Sequence, residues 1–66
     1  MEILEKIKVV RARCMEVFED QELCTKWLNT PNMVLGGVAP VSMLETDEGM
    51  QTVLDVLGRI EHGIIS

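Results

Sequence analysis

The sequence predicts an all-α fold, a small bundle of three to four helices with a Gly/Pro-containing connector and a short apolar C-terminal tail. Three observations carry that prediction. Apolar residues recur with helical spacing in the first and last thirds of the chain, and nothing alternates with period two over a useful length. Pro31, Gly36, Gly37 and Pro40 cluster in the middle, where they punctuate the pattern. The chain of 66 residues is long enough for one domain only, read as residues 1–66 without an internal boundary or repeat.

The first element is an amphipathic helix within residues 1–19, running from about Glu2 to Glu19. At roughly 100° per residue, Ile3, Leu4, Ile7, Val10, Cys14, Val17 and Phe18 gather on one face, opposite Glu2, Glu5, Arg13, Glu16 and Glu19. Val9 falls on the polar side. Arg11 falls inside the apolar arc, either as an edge residue with a packed stem and a solvated head or as a partner contact. The heptad-like Ile3, Ile7, Val10, Cys14 and Val17 could also pair with a second copy of the chain.

Asp20 is placed to cap a second helix, since its carboxylate can accept a bond from an orphan N–H of the first turn. That helix turns Leu23, Cys24, Trp27 and Leu28 towards a core and ends near Asn29, because Pro31 disfavours helical geometry at Thr30. The connector from Thr30 to Ala39 has an apolar middle, so Leu35 is expected to plug into the bundle. The pair Gly36–Gly37 implies a positive φ or a close backbone approach.

Pro40 suits the first turn of a short helix to Glu45, with Val41 and Leu44 inward. Thr46 or Asp47 then caps a final helix to about His62, with Met50, Val53, Leu54, Leu57 and Ile60 on its apolar face. Gly58 inside it reads as a close helix crossing, and Gly63 as the residue that ends it. Ile64, Ile65 and Ser66 form the tail. Glu61 lies within the apolar arc, near Met50 and Leu54 on the wheel. It is either solvated at a frayed end or reserved for a cationic partner.

Composition bounds the function. A formal net charge of -5 argues against non-specific nucleic-acid binding, which draws on clustered Lys and Arg. No stretch approaches the ~20 apolar residues of a membrane span, and no leader precedes the first helix, so the expected compartment is the cytoplasm. Cys14 and Cys24 read as small buried hydrophobes rather than a disulfide. They also lack the spacing and partners of a zinc site. Gly36–Gly37 lacks a phosphate-loop frame. Glu61 and His62 are adjacent on a helix and point about 100° apart, so they do not form an acid–base pair. Catalytic, cofactor-binding and metal-binding residues are therefore expected to be none.

What the composition offers instead is apolar surface. Met33, Val34, Val38, Met43, Ile64 and Ile65 all fall outside the patterned helices. Such residues either fill gaps in a small core or mark a binding surface. For Ile64 and Ile65 the short tail favours a partner.

From Trp27 onward the sequence resembles a known family. Trp27-Leu28-Asn29-Thr30-Pro31-Asn32, then Leu35-Gly36-Gly37, then Pro40 and Leu44 look like the toxin-binding domain of Xre/MbcA/ParS antitoxins. Thr46, Gly49, Val53, Leu57 and Gly58-Arg59-Ile60-Glu61-His62-Gly63 continue the match over roughly the last 40 residues. No single motif is specific; their order and spacing are. Residues 20–66 thus form the family-like core and tail.

The resemblance implies a partner, a toxin of the RES or ADP-ribosyltransferase-like kind that acts on NAD. It implies that the C-terminal end of the domain enters or covers the toxin's active-site cleft. Arg59, Glu61, His62, Gly63, Ile64, Ile65 and Ser66 become the expected inhibitory contacts, while Leu35, Gly36, Gly37 and Pro40 set the connector's shape. Three features depart from the family pattern. Ile65 stands near a position where members often carry an aromatic residue. Ala39 replaces a Ser or Thr cap before the proline, which is expected to weaken that short helix by about 1 kcal/mol. One helix replaces the usual N-terminal helix-turn-helix, so DNA binding is not transferred, and the chain is read as an excised domain or a short stand-alone member. The competing reading is an interaction or homodimerisation module without inhibitory activity.

Overall fold

The computed structural model describes residues 2–65, and side chains through Gly63. It contains three α-helices: α1 (Ile3–Phe18), α2 (Gln21–Asn29) and α3 (Asp47–Ile65). Two 3-10 turns, Met33–Leu35 and Pro40–Glu45, lie between α2 and α3. Among the described residues the only extended pairing is an isolated antiparallel bridge between Asn32 and Val38.

Each boundary has a local cause. α1 stops at Glu19, which takes the left-handed conformation (φ 55°) and donates its N–H to the Met15 carbonyl at 2.8 Å. A non-glycine residue there costs on the order of 1 kcal/mol. Asp20 follows at once as the cap of α2, accepting the N–H groups of Glu22 and Leu23 at 2.9 and 3.2 Å. So short a joint makes α1 and α2 antiparallel neighbours. Thr30 is extended (φ -103°, ψ 131°) ahead of Pro31, which ends α2. Pro40 occupies the first turn of its helix, and Ala39 supplies no side-chain cap. Thr46 caps α3, its Oγ1 accepting the Gly49 N–H at 2.9 Å.

α1 is the element that the others share. α2 and α3 both pack on it, while meeting each other little; the Pro40–Glu45 turn fills the space between them. Leu44 is fully buried in that turn, beside Val10 and Cys14 of α1, Cys24 and Leu28 of α2, and Val53, Val56 and Leu57 of α3. Leu35 joins the same core from the connector. Burying a Leu or Val contributes roughly 1.5–3 kcal/mol each, so this one cluster accounts for most of the cohesion of the domain.

The direction of α3 follows from two ion pairs. Lys6 near the start of α1 reaches Asp47 at the start of α3 (3.1 Å), and Arg13 reaches Glu61 near the end of α3 (2.7 Å). α1 and α3 therefore run the same way. The anchors are about 10 Å apart along α1 and about 21 Å along α3, at 1.5 Å per residue. The long basic side chains help to span the difference.

Several expectations are corrected. Gly63 does not end the last helix: α3 runs on to Ile65, and the positive-φ glycines are Gly36 (75°) and Gly37 (84°). The expected short tail after Gly63 is thus helical backbone as far as Ile65. The side chains of Ile64 and Ile65, and the whole of Ser66, lie outside the described residues. Gly58 is not a close crossing either, because a Cβ there would meet nothing. The close approach is at Gly49, whose Cβ would run into the Met43 carbonyl. Leu23 is half exposed rather than inward, and Ile3 and Leu4 are exposed because no element covers the first turn of α1. Lys6, absent from the expected core face, is 5% exposed: its stem lies along the core and its ammonium surfaces at Asp47.

These placements give opposite predictions for two glycines in one helix. Gly49→Ala must push the α3 backbone away from Met43 and is expected to cost about 3 kcal/mol, the upper end of ordinary overpacking. Gly58→Ala removes a helix penalty without a clash and should add about 1 kcal/mol. On a domain of this size each kcal/mol moves the melting temperature by roughly 4–8 °C. A calorimetric melt of the two variants checks both signs.

Candidate functional site

The residues expected to touch a partner fall into two groups. Leu35, Gly36, Gly37 and Pro40 precede the first turn of α3, whereas Arg59, Glu61, His62 and Gly63 lie in its last turns. The first group belongs to the connector and the Pro40–Glu45 turn, and the second to the last turns of α3.

Within the C-terminal group the side chains divide by face. Arg59 and His62 are exposed, as is Gly63, on the side of α3 that carries Asp55 and Gln51. Glu61 turns the other way, onto α1. Its two carboxylate oxygens accept from both terminal nitrogens of Arg13, Nη2 to Oε1 at 2.7 Å and Nη1 to Oε2 at 3.2 Å. Arg13 Nη1 also reaches Glu16 at 3.2 Å. The Glu61 carboxylate is therefore neither frayed into water nor held for an external cation. A bidentate arginine fork fixes its plane as well as its position, so the last turns of α3 are tethered to α1.

The signal for this contact was present in the sequence. A carboxylate inside an apolar arc requires a cation, and only Arg11 and Arg13 lie at the far end of α1. Arg11 is already used: its Nη2 donates to Thr25 Oγ1 at 2.7 Å, joining α1 to α2 as an edge residue.

The connector is equally ordered. Asn32 is its hub, and sequence reasoning gave it no role. Its N–H donates to the Val38 carbonyl (3.1 Å), and its carbonyl accepts from Leu35 (3.0 Å) and Gly37 (2.9 Å). Its side-chain oxygen accepts from Val34 (2.9 Å). Left-handed Gly36 and Gly37 let the chain double back so tightly. Leu35 points into the core, and Met33 and Val34 point out, 91% and 67% exposed. Met43, by contrast, packs against the core.

The two cysteines are free and fully buried between α1 and α2. Burial first, then a hydrogen bond with Cys24, pushes the Cys14 thiol up to about 12. It stays protonated and unreactive at neutral pH. No group of three or more metal-ligating side chains occurs among the described residues. None of their helices is long and apolar enough to cross a membrane.

Comparison with known proteins gives the chain a family. Residues 14–63 match the antitoxin Xre/MbcA/ParS C-terminal toxin-binding domain, and the chain belongs to that family. It is 45% identical over 47 residues to an antitoxin Xre of Photorhabdus laumondii and 43% identical over 47 residues to an antitoxin Xre of Yersinia enterocolitica. A Prs ADP-ribosylating antitoxin of Sphingobium is 39% identical over 46 residues. The first two matches cover 71% of this chain and 32% of each relative, and the third covers 70% and 29%. The chain thus spans about a third of the length of the curated relatives it matches. No solved structure matches it.

The tether has a pH signature. Arg13, by hydrogen bonding and then by its charge, holds the Glu61 carboxyl below its usual 4.5. A depressed folded value means that stability is fully present above the unfolded value and is lost as the pH falls through the folded one. Lys6 acts on Asp47 in the same direction, below 3.8. Urea midpoints should accordingly hold from pH 7 to about 5 and decline as the pH falls through the carboxylate range. Glu61→Gln should flatten part of that acid limb, and an unchanged acid limb would count against the tether.

Proposed function

We propose that this chain is the inhibitory part of an antitoxin, which binds a RES or ADP-ribosyltransferase-like toxin and occludes its NAD site with the C-terminal end of α3. The observation that carries the reading is the Arg13–Glu61 tether. It fixes the last turns of α3 on the domain, so that Arg59 and His62 are presented from a rigid base. Gly63, Ile64, Ile65 and Ser66 follow in the sequence as the segment that enters the cleft. Membership of a toxin-binding family supports the partner class. The name of the Sphingobium relative supports ADP-ribosyl chemistry nearby.

The division of labour differs from one in which every residue of the last turns touches the toxin. Glu61 is a positioning residue, since its oxygens already accept from Arg13. Arg59 and His62 are free to make polar contacts at the mouth of a cleft. Preorganisation of this kind favours binding because little ordering entropy remains to be lost. The connector shapes the fold through buried Leu35 and Pro40.

Affinity capture from the source cell, with the intact chain and with a chain ending at His62, tests the proposal. The intact chain is expected to retain an NAD-consuming protein in an inactive state. The shortened chain should bind at least tenfold more weakly, by loss of roughly 1.4 kcal/mol or more, and leave NAD consumption on. Full inhibition by the shortened chain would move the inhibitory contact away from the C-terminal end.

A further inference from the structure

We infer that Cys14 and Cys24 are a latent disulfide, an oxidative modification site that staples α1 to α2 within one chain. The co-reactant is a small-molecule disulfide such as oxidised glutathione.

The pairing follows from the register of the two helices. α1 and α2 are antiparallel neighbours joined only by Glu19 and Asp20. Cys14 shares a hydrogen bond with Cys24 across them, so the two sulfurs face each other. One turn away on each helix come Val10 and Leu28, both buried in the same cluster. Beside the pair, Arg11 Nη2 donates to Thr25 Oγ1 at 2.7 Å and fixes the same register from the solvent side. Packed helix axes lie about 8–10 Å apart, with Cα atoms on a radius of about 2.3 Å. Facing Cα atoms are then roughly 3.5–5.5 Å apart, which overlaps the span of about 4.4–6.8 Å that a disulfide bridges.

The second observation is what such a bond would do for a chain of this size. A domain of 66 residues has a small core, and domains this small commonly carry a staple. Both cysteines are free, so the reduced chain holds this staple in reserve. Joining Cys14 to Cys24 restricts the unfolded chain far more than the folded one, whose helices already stand in place. Proteolysis of a small domain tracks the population of its opened form. Oxidation would therefore lengthen the life of the domain as well as raise its melting temperature.

The chemistry is a two-step exchange. In the closed domain both sulfurs are fully buried, so reaction starts from a local opening of α1 from α2. The thiolate of one cysteine attacks a sulfur of the small disulfide and breaks its S–S bond. One small thiolate leaves, takes up the proton that the cysteine lost, and a mixed disulfide remains. Reclosure presents the other cysteine, which loses its proton and displaces the second small thiol. Two protein thiols are oxidised, and one small disulfide is reduced to two thiols. The inference does not depend on the antitoxin reading and leaves the C-terminal end of α3 unused.

Titrating the intact chain with mixtures of oxidised and reduced glutathione tests it. Mass spectrometry should show a single chain lighter by two hydrogens, with both cysteines closed to an alkylating reagent in denaturant. Urea below the unfolding transition should speed its formation, because exchange requires opening. The oxidised chain should melt higher by on the order of 10 °C, and its digestion by trypsin should slow at least tenfold. Cys14→Ala and Cys24→Ala, each compared with itself before and after oxidation, should show neither change. That comparison separates the bond from any cost of the substitution. Three results overturn the inference: a mixed disulfide that never closes on the second cysteine, cross-links between chains only, or a closed form that melts no higher than the reduced one.

Discussion

The parallel pairing of α1 and α3 is the constraint on which the rest of the molecule depends. Two helices can run the same way only if the chain is carried back between them. α2 makes that return, and the connector with its 3-10 turn delivers the chain to the start of α3. The return also leaves a gap, because α2 and α3 lean on α1 without closing on each other. Leu44, from the turn Pro40–Glu45, fills it. This is why a turn of six residues holds one of the most deeply buried side chains in the domain.

The geometry was legible wherever a single residue dictates a local outcome. Asp20 as a cap and Thr30 as the stop before Pro31 follow from backbone chemistry that needs no tertiary context, while at Thr46 or Asp47 and at Gly36–Gly37 the same chemistry left two readings, of which the structure takes the Thr46 cap and the left-handed glycines. The failures share a cause of their own. Gly58 and Gly49 look alike on a helical wheel, and only the path of the preceding turn decides which one meets a carbonyl. Leu23 belongs to the apolar side of α2, yet the small domain has nothing to lay over it. Lys6 shows the reverse case, a charged residue that supplies core surface with its methylenes.

The candidate site was readable to a similar extent. Its position at the C-terminal end came from the family resemblance, whereas the inward turn of Glu61 did not. An apolar arc containing a carboxylate announces an unmet electrostatic need, but the arc alone does not name the cation. Arg13 answers from the polar side of α1, its long side chain reaching Glu61 at 2.7 Å. Asn32 escaped notice for a related reason. Its four hydrogen bonds exist only once the loop has closed, so no periodicity signals them.

A domain of this size has little stability to spare, and the location of its two ion pairs bears on function. Each pair keeps at least one side chain in contact with water, Asp47 in the first and both partners in the second, so solvent screening leaves the core cluster as the main source of cohesion. What the pairs can do is choose among packings that the core alone would leave close in energy. The first sets the register at the start of α3, and the second sets the direction in which its last turns leave the domain. If the second were lost, the core around Leu44 and Leu57 would survive while the end of α3 could fray. The tether therefore bears on where the last turns of α3 sit more than on whether the chain folds.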